Sequence, residues 1–324
     1  MKAALFPGQG SQHIGMGQFL YNNFNTAKQL FEEASDAISL DFKKLCFEGD
    51  DKTLALTENT QPAIVLTSVC TWRVLNELGN PKISFTAGHS VGEYSAMVAS
   101  DVISFHHSIK AVRKRGEFMQ SAVPVGEGAM LAIMGLSPQQ VDYICEKATH
   151  KSGAGPLEPA NFNSPGQIVI SGSAKTAEWL KNCSVEQLFA GYNGSEEIPK
   201  KIKMIPLKVS APFHCSMMKP AKENMYPVLE DIPFAEASIP VVQNVLARAE
   251  TQGSFLRNNL IEQITHSVRW TETIEYIAHQ KVNEFVECGS GKVLAGLNKK
   301  INPDLVTFNI NSLDELKNLE NSLN

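Results

Sequence analysis

Gly88-His89-Ser90-Val91-Gly92-Glu93-Tyr94 is the stretch that decides how this chain is read. Ile83-Ser84-Phe85-Thr86-Ala87 precedes it, short and fairly apolar, as a buried strand is. Tyr94 to Ala99 follows and reads as a helix. A serine between two glycines, at a strand-to-helix turn, has the G-x-S-x-G pattern of a nucleophile elbow. The turn is sharp, and side chains at Gly88 and Gly92 would collide with the strand and helix beside it. It lifts the Ser90 hydroxyl into the open. It also sets the Val91 N–H at a helix N-terminus, where it can stabilise a negative oxygen. The alternative is a plain tight turn, so the rest of the chain has to supply a base, a second oxyanion donor and a substrate handle.

Upstream, Ala3-Ala4-Leu5-Phe6 reads as a short buried strand ending in a glycine-rich turn, Pro7-Gly8-Gln9-Gly10-Ser11-Gln12. The turn fits neither the dinucleotide fingerprint nor the phosphate P-loop. Helices are predicted over 26–38 and from Gln61 to Leu78, the latter with Pro62 in its first turn and Gly79 as C-cap. Downstream, in the helix predicted over 104–122, Phe105, Ile109, Val112, Gly116 and Met119 form the core stripe. Arg115 lies about 60° from Val112, on the flank of that stripe. A guanidinium there needs an acidic side chain, a route to water, or an anion bound in a cleft.

Residues 129–209 read as a unit of their own. Strands at Met130–Met134, Leu157–Phe162, Gln167–Ser171 and Ile202–Val209 alternate with helices at Pro138–Ala148 and Ala174–Phe189. The order β-α-β-β-α-β is ferredoxin-like. Turn-rich linkers, 124–128 and 210–212, flank it, and Tyr192 to Lys201 reads as a surface loop. His214 follows at the boundary, where a cleft is expected. Cys215 is its neighbour, but adjacent side chains point apart. From there helices and short strands alternate to the end, with Ser312 and Glu315 as a capping box. The expected architecture is an α/β body with a mostly parallel sheet, from 1–128 and 210–324, carrying the inserted ferredoxin-like subdomain.

The totals narrow the function classes. The 324 residues, 43% hydrophobic, are ample for a large core. A net charge of −5 gives no case for nucleic acid. No apolar run reaches the roughly 18–20 residues of a membrane span. The N-terminal segment lacks the long apolar region of a signal peptide. The six cysteines are scattered with no C-x-x-C pair, which suits reduced thiols better than a disulfide framework or a zinc site. Together these features predict a cytoplasmic protein without a metal.

Several spaced motifs then read together: Pro7-Gly8-Gln9-Gly10-Ser11-Gln12, Thr60-Gln61-Pro62-Ala63, Gly88 to Ala96, Arg115-Gly116-Glu117-Phe118-Met119-Gln120, Asn161 to Gln167, and Ala211-Pro212-Phe213-His214. With them, in this order, the chain resembles the malonyl-CoA:acyl-carrier-protein transacylases of bacterial fatty-acid synthesis, from about residue 2 to about residue 310. The resemblance implies a ping-pong transfer of malonyl from coenzyme A to a serine and then to a phosphopantetheine thiol. It implies Ser90 as nucleophile, His214 as general base, and the N–H groups of Gln9 and Val91 as oxyanion hole. Arg115 would grip the malonyl carboxylate, Gln263 would orient His214, and Phe213 would exclude an α-methyl branch. Asn161 would line the cleft. Malonyl-CoA is then a substrate, no cofactor is needed, and acyl carrier protein is the partner. Lys110, Arg113, Lys114, Lys200, Lys201 and Lys203 are candidates for meeting an acidic carrier. Val91 departs from the family's common leucine, Ser290 from its proline, and the segment from Tyr192 to Lys201 looks longer than usual.

Three other readings stand beside this one. A serine esterase or thioesterase shares the elbow but has no use for a carboxylate clamp. A trans-acting acyltransferase of a polyketide synthase would use the same residues with another carrier. An inactive carrier-binding homologue would have no need of Ser90, His214 and Arg115 together.

Overall fold

The computed structural model describes residues 1–79, 81–209 and 211–323, with side chains through Leu319. Ser210, assigned above to the second linker and the start of the returning body, lies outside them, as does Asn324. The described strands, in chain order, are β1 (Lys2–Phe6), β2 (Ile83–Gly88), β3 (Gly128–Met134), β4 (Leu157–Ser164), β5 (Gln167–Ser173), β6 (Lys203–Pro206), β7 (Val241–Val242), β8 (Ala249–Glu250), β9 (Glu284–Glu287) and β10 (Val306–Asn309). They form two sheets, ordered β10-β9-β1-β2-β7-β8 and β4-β5-β3-β6.

The first sheet is parallel throughout except for the β7–β8 pair. Its central strand shows why. Ala3, Ala4, Leu5 and Phe6 are all fully buried, as a strand covered on both faces requires. Ala4 and Phe6 face the core under the helices Thr57–Gly79 and Phe105–Ser121. Ala3 and Leu5 face the core under Trp270–His279 and Val293–Ile301. The alternation is the period-two geometry of a strand.

The second sheet is antiparallel, with β3 paired to both β5 and β6 and β4 paired to β5. Its own core holds Leu131, Ile133, Val141, Ile144, Leu157, Ile170 and Leu180, from its strands and from the helices Pro138–Ser152 and Ala174–Asn182. It is stitched to the rest of the molecule along β4. Phe162 donates its N–H to Val268 O at 2.9 Å, and Val268 returns its N–H to Ala160 O at 2.8 Å.

Several expectations need correction. The long helix begins at Thr57, so Pro62 sits inside it and Gly79 is its last residue. Proline leaves the Glu58 carbonyl, four residues back, without its helical donor. Arg113 Nη1 supplies one at 3.1 Å. The run from Ala174 to Phe189 is two helices, because Ser184 caps a second one, Val185–Phe189, in a capping box with Gln187. β6 covers only four of the eight residues expected. Ser312 does accept from the Glu315 N–H at 3.2 Å, but the Glu315 carboxylate reaches back to the Asn311 N–H rather than to that of Ser312. The box is half formed. The cysteines of the chain are all free thiols, five of them buried.

Candidate active site

β1 and β2 end side by side, Phe6 opposite Gly88, and the turns that leave them make the floor of a cleft. After Gly88 the backbone reverses at Ser90, whose φ is +52°, and enters the helix Gly92–Ala99. A Cβ at Gly88 would lie 2.0 Å from the Gly92 carbonyl, and one at Gly92 would lie 2.2 Å from Phe6 O. Both glycines are therefore set by close backbone approach, as the sequence pattern implies. Asn244, just past β7, clamps the turn. Its Oδ1 accepts from the Ser90 N–H at 2.7 Å and its Nδ2 donates to Gly88 O at 2.6 Å.

Ser90 Oγ lies 2.7 Å from His214 Nε2. His214 Nδ1 lies 2.9 Å from the Gln263 backbone carbonyl. A carbonyl only accepts, so Nδ1 carries the proton and Nε2 is free to accept from the serine. His214 is itself in a left-handed conformation, φ +60°. Burial, and next the charge of Arg115, hold its pKa down at about 3, so the ring is neutral near pH 7.

Arg115 is 1% exposed. Its Nη1 donates to Gln61 Oε1 at 2.8 Å, and its Nη2 to Gln263 Oε1 at 2.9 Å and Ser90 Oγ at 3.2 Å. The guanidinium also lies 5.9 Å from the Tyr94 ring. Its Nε is buried with no hydrogen-bond partner among the described residues. Of the three options open for Arg115 in the sequence, direct pairing with an acid is not what is seen. Neutral amides and the serine surround it, and it points into the cleft.

Gln9, Ser90, Val91, Arg115, Asn161, Phe213 and His214 all line this cleft, with Gln61, Met119, Met130 and Leu207. Gln9 and Val91 face it from the two turns, and among the described residues neither N–H is tied to a protein acceptor. Gln263 lies behind the cleft, fully buried. It does hold His214, but through its backbone carbonyl. Its side chain serves the elbow and Arg115, with Nε2 donating to Ser90 O at 3.1 Å and to Glu93 Oε2 at 2.9 Å.

Sequence reasoning assigned no part to Glu93, Asn244, Gln61 or the His89–Asn163 contact at 2.9 Å. A signal existed for Glu93. All eight residues of the helix Gly92–Ala99 are buried, and it is the charged one among them. Two of the candidate carrier-facing cations are engaged elsewhere: Arg113 with Glu117, Glu58 O and Asn59, and Lys114 with Glu117.

A serine with a neutral imidazole at its hydroxyl, free N–H groups beside it and a buried cation facing it can carry acyl-transfer chemistry on an anionic acyl group. Residues 4–296 match the acyl transferase domain family. The malonyl CoA-acyl carrier protein transacylase of Bacillus subtilis (strain 168) is 43% identical over 315 residues, 97% of this chain and 95% of that protein. The enzyme of the same name from Staphylococcus aureus (strain MRSA252) is 40% identical over 97% of each chain. Among solved structures, the malonyl CoA-acyl carrier protein transacylase of Coxiella burnetii superposes with a TM-score of 0.91 at 35% identity, covering 99% of this chain and 97% of its own. A malonyl-transacylase solved in complex with a type II PKS acyl-carrier protein gives 0.90 at 39% identity, covering 99% of each chain.

Proposed function

The chain belongs to the acyl transferase domain family, and within it we propose that this protein moves a malonyl group from malonyl-CoA to the phosphopantetheine thiol of acyl carrier protein. The observation that carries the reading is Arg115, a buried cation with a spare donor, 3.2 Å from the Ser90 hydroxyl. A hydrolase of neutral esters has no need of that charge. A malonyl group attached to Ser90 brings a carboxylate to it, and a guanidinium fork matches a carboxylate with two hydrogen bonds.

The reaction then runs in two halves. Ser90 Oγ attacks the thioester carbonyl while His214 Nε2 takes its proton. The oxyanion of the tetrahedral intermediate receives the Gln9 and Val91 N–H groups; losing one such donor typically costs about 3–4 kcal/mol in the barrier. The intermediate expels the coenzyme A thiolate, which takes the proton back from His214, and malonyl-Ser90 remains. In the second half His214 deprotonates the carrier thiol. The thiolate attacks the malonyl ester, and Ser90 leaves with the returned proton. Malonyl-CoA is a substrate, and the scheme calls on no cofactor or metal. Phe213, 7% exposed and against the cleft, limits bulk at the acyl α-carbon, and Asn161 lines the same wall. In this reading the segment 129–209, whose sheet has the 2-3-1-4 strand order of a ferredoxin-like fold, is the inserted subdomain, and 1–128 with the returning chain is the catalytic body. A cytoplasmic location is proposed with it; no helix among the described residues is long and apolar enough to cross a membrane.

Intact-mass measurement after mixing with malonyl-CoA tests the chemistry. The wild type should gain one malonyl group and Ser90→Ala none; an adduct that persists in Ser90→Ala defeats the scheme. The solved relative bound to a type II PKS carrier favours a second carrier class. Rates of malonyl transfer to fatty-acid and polyketide carrier proteins, compared side by side, decide between them.

A further inference from the structure

Glu93 is fully buried one turn beyond Ser90, and the scheme above gives it no part. Its Oε2 accepts from the Asn244 backbone N–H at 3.0 Å and from Gln263 Nε2 at 2.9 Å. Its Oε1 faces Gln243 Nε2 at 3.4 Å. Every one of these partners is a donor, so the position calls for an acceptor. Both Oε2 contacts lead back to the reacting centre. Asn244 is the residue that clamps Ser90 N–H and Gly88 O. Gln263 is the residue whose Oε1 receives Arg115 Nη2.

A side-chain amide can turn over by 180° and exchange its oxygen with its NH₂. Turned over, Gln263 would present N–H groups to the Arg115 guanidinium, donor against donor. What holds the productive face is the pair of acceptors on its other side, Glu93 Oε2 and Ser90 O at 3.1 Å. We propose that Glu93 is a positioning residue: it locks the Gln263 amide so that its oxygen aims the Arg115 guanidinium at the acyl group on Ser90, and it braces the elbow through Asn244. This inference rests on the malonyl-transfer reading, because the aim of the Arg115 guanidinium discriminates between acyl groups only where one of them carries a free carboxylate.

The test compares acylation of Ser90 by malonyl-CoA and by acetyl-CoA, as a ratio of kcat/KM values, in the wild type, Glu93→Ala and Glu93→Gln. In Glu93→Ala the malonyl-to-acetyl ratio should fall at least about tenfold, chiefly through a higher KM for malonyl-CoA. In Glu93→Gln an amide oxygen can accept both bonds now made to Oε2, while its NH₂ displaces only the long contact from Gln243 Nε2, which keeps Leu256 O as acceptor at 3.3 Å, and the ratio should stay within about threefold of the wild type. A role confined to folding would lower both substrates together, so an unchanged ratio in Glu93→Ala overturns the proposal. Should Glu93→Ala fail to fold, Glu93→Asp takes its place. The shorter acid keeps the charge but cannot reach Asn244 and Gln263 together, so its ratio should fall below that of Glu93→Gln; the opposite order shows that charge, not reach, is what counts, and overturns the proposal. A wild type that forms no malonyl-serine removes the underlying reading as well, whereas a wild type that forms it with unresponsive variants removes the role of Glu93 alone.

Discussion

In the proposed scheme Arg115 acts on two things at once, the acyl group and the base. Its Nη2 stands 3.2 Å from Ser90 Oγ, and its charge, after burial, is what depresses His214. Replacing it with alanine should cost malonyl transfer at least about a hundredfold in kcat/KM while leaving or raising acetyl transfer, the difference being a charge-assisted hydrogen-bonded pair. Parallel progress curves with the two thioesters measure it. A finer expectation concerns pH. A malonyl carboxylate seated on Arg115 cancels much of the field on His214, so the base strengthens when its substrate binds. The acid limb of kcat, which reports the complex, should therefore lie at higher pH than that of kcat/KM, which reports the free enzyme, and both should lie below the ordinary histidine value of about 6.5. With acetyl-CoA the gap should close; a gap of equal size for both substrates would rule out this coupling. Glu93 is shifted the other way, up to about 7 by burial. Its folded form binds a proton more readily than the unfolded chain, so its contribution to stability grows as pH falls between 7 and 4.5, while His214 loses stability as pH falls below its unfolded value. The two oppose one another. Glu93→Gln should unmask the His214 slope, of the order of 1 kcal/mol per pH unit in that window, read from denaturation midpoints against pH.

At the scale of elements, the elbow is a fit between backbones. Gly92→Ala would drive a methyl group to 2.2 Å from Phe6 O, and neither the strand nor the helix can give way cheaply. Loss of several kcal/mol in stability, or of Ser90 acylation altogether, is the expected outcome, checked by thermal melts alongside intact mass. Phe213 belongs to this scale too, since the turn carrying His214 also sets its ring against the cleft. Phe213→Ala should improve methylmalonyl relative to malonyl transfer by roughly tenfold, the worth of a methyl-sized pocket change. The elements also show what the sequence made legible. Strand, turn and helix around Ser90 could be read because the two glycines stand four apart in one short motif, although only Gly88 is dictated within it and Gly92 answers to Phe6 O on the neighbouring strand. The flank position of Arg115 followed from helical period alone. The start of the Thr57 helix could not be read, because Pro62 is tolerated there by Arg113, a residue 51 positions away. The side-chain role of Gln263 was hidden for the same reason: its partners Glu93, Arg115 and Ser90 are all far off in sequence and come together only when the sheet is closed.

For the molecule as a whole, the cleft is a seam between two sheets, the second of which turns one face to a core of its own and sends Met130, Ala132, Ala160 and Val169 into the core of the first. β4 spans it: Asn161 lines the cleft, while its neighbours exchange hydrogen bonds with Val268, Ser267 donates to Pro159 O and Thr271 to Phe162 O. Val268→Pro removes one of those donors without touching the reacting groups. It should lower stability by about 1–3 kcal/mol and raise KM for malonyl-CoA more than it lowers kcat, as a loosened seam demands. The left-handed backbone at Ser90 has a reach of its own. A side chain there carries a penalty of about 1 kcal/mol that glycine escapes, and water in the open cleft can satisfy the groups the hydroxyl leaves behind. Ser90→Gly should thus be inert and yet outlast the wild type in a melt. A lineage released from the reaction would gain durability by the same single step, so in the proposed scheme it is the chemistry, not the fold, that asks for a serine here.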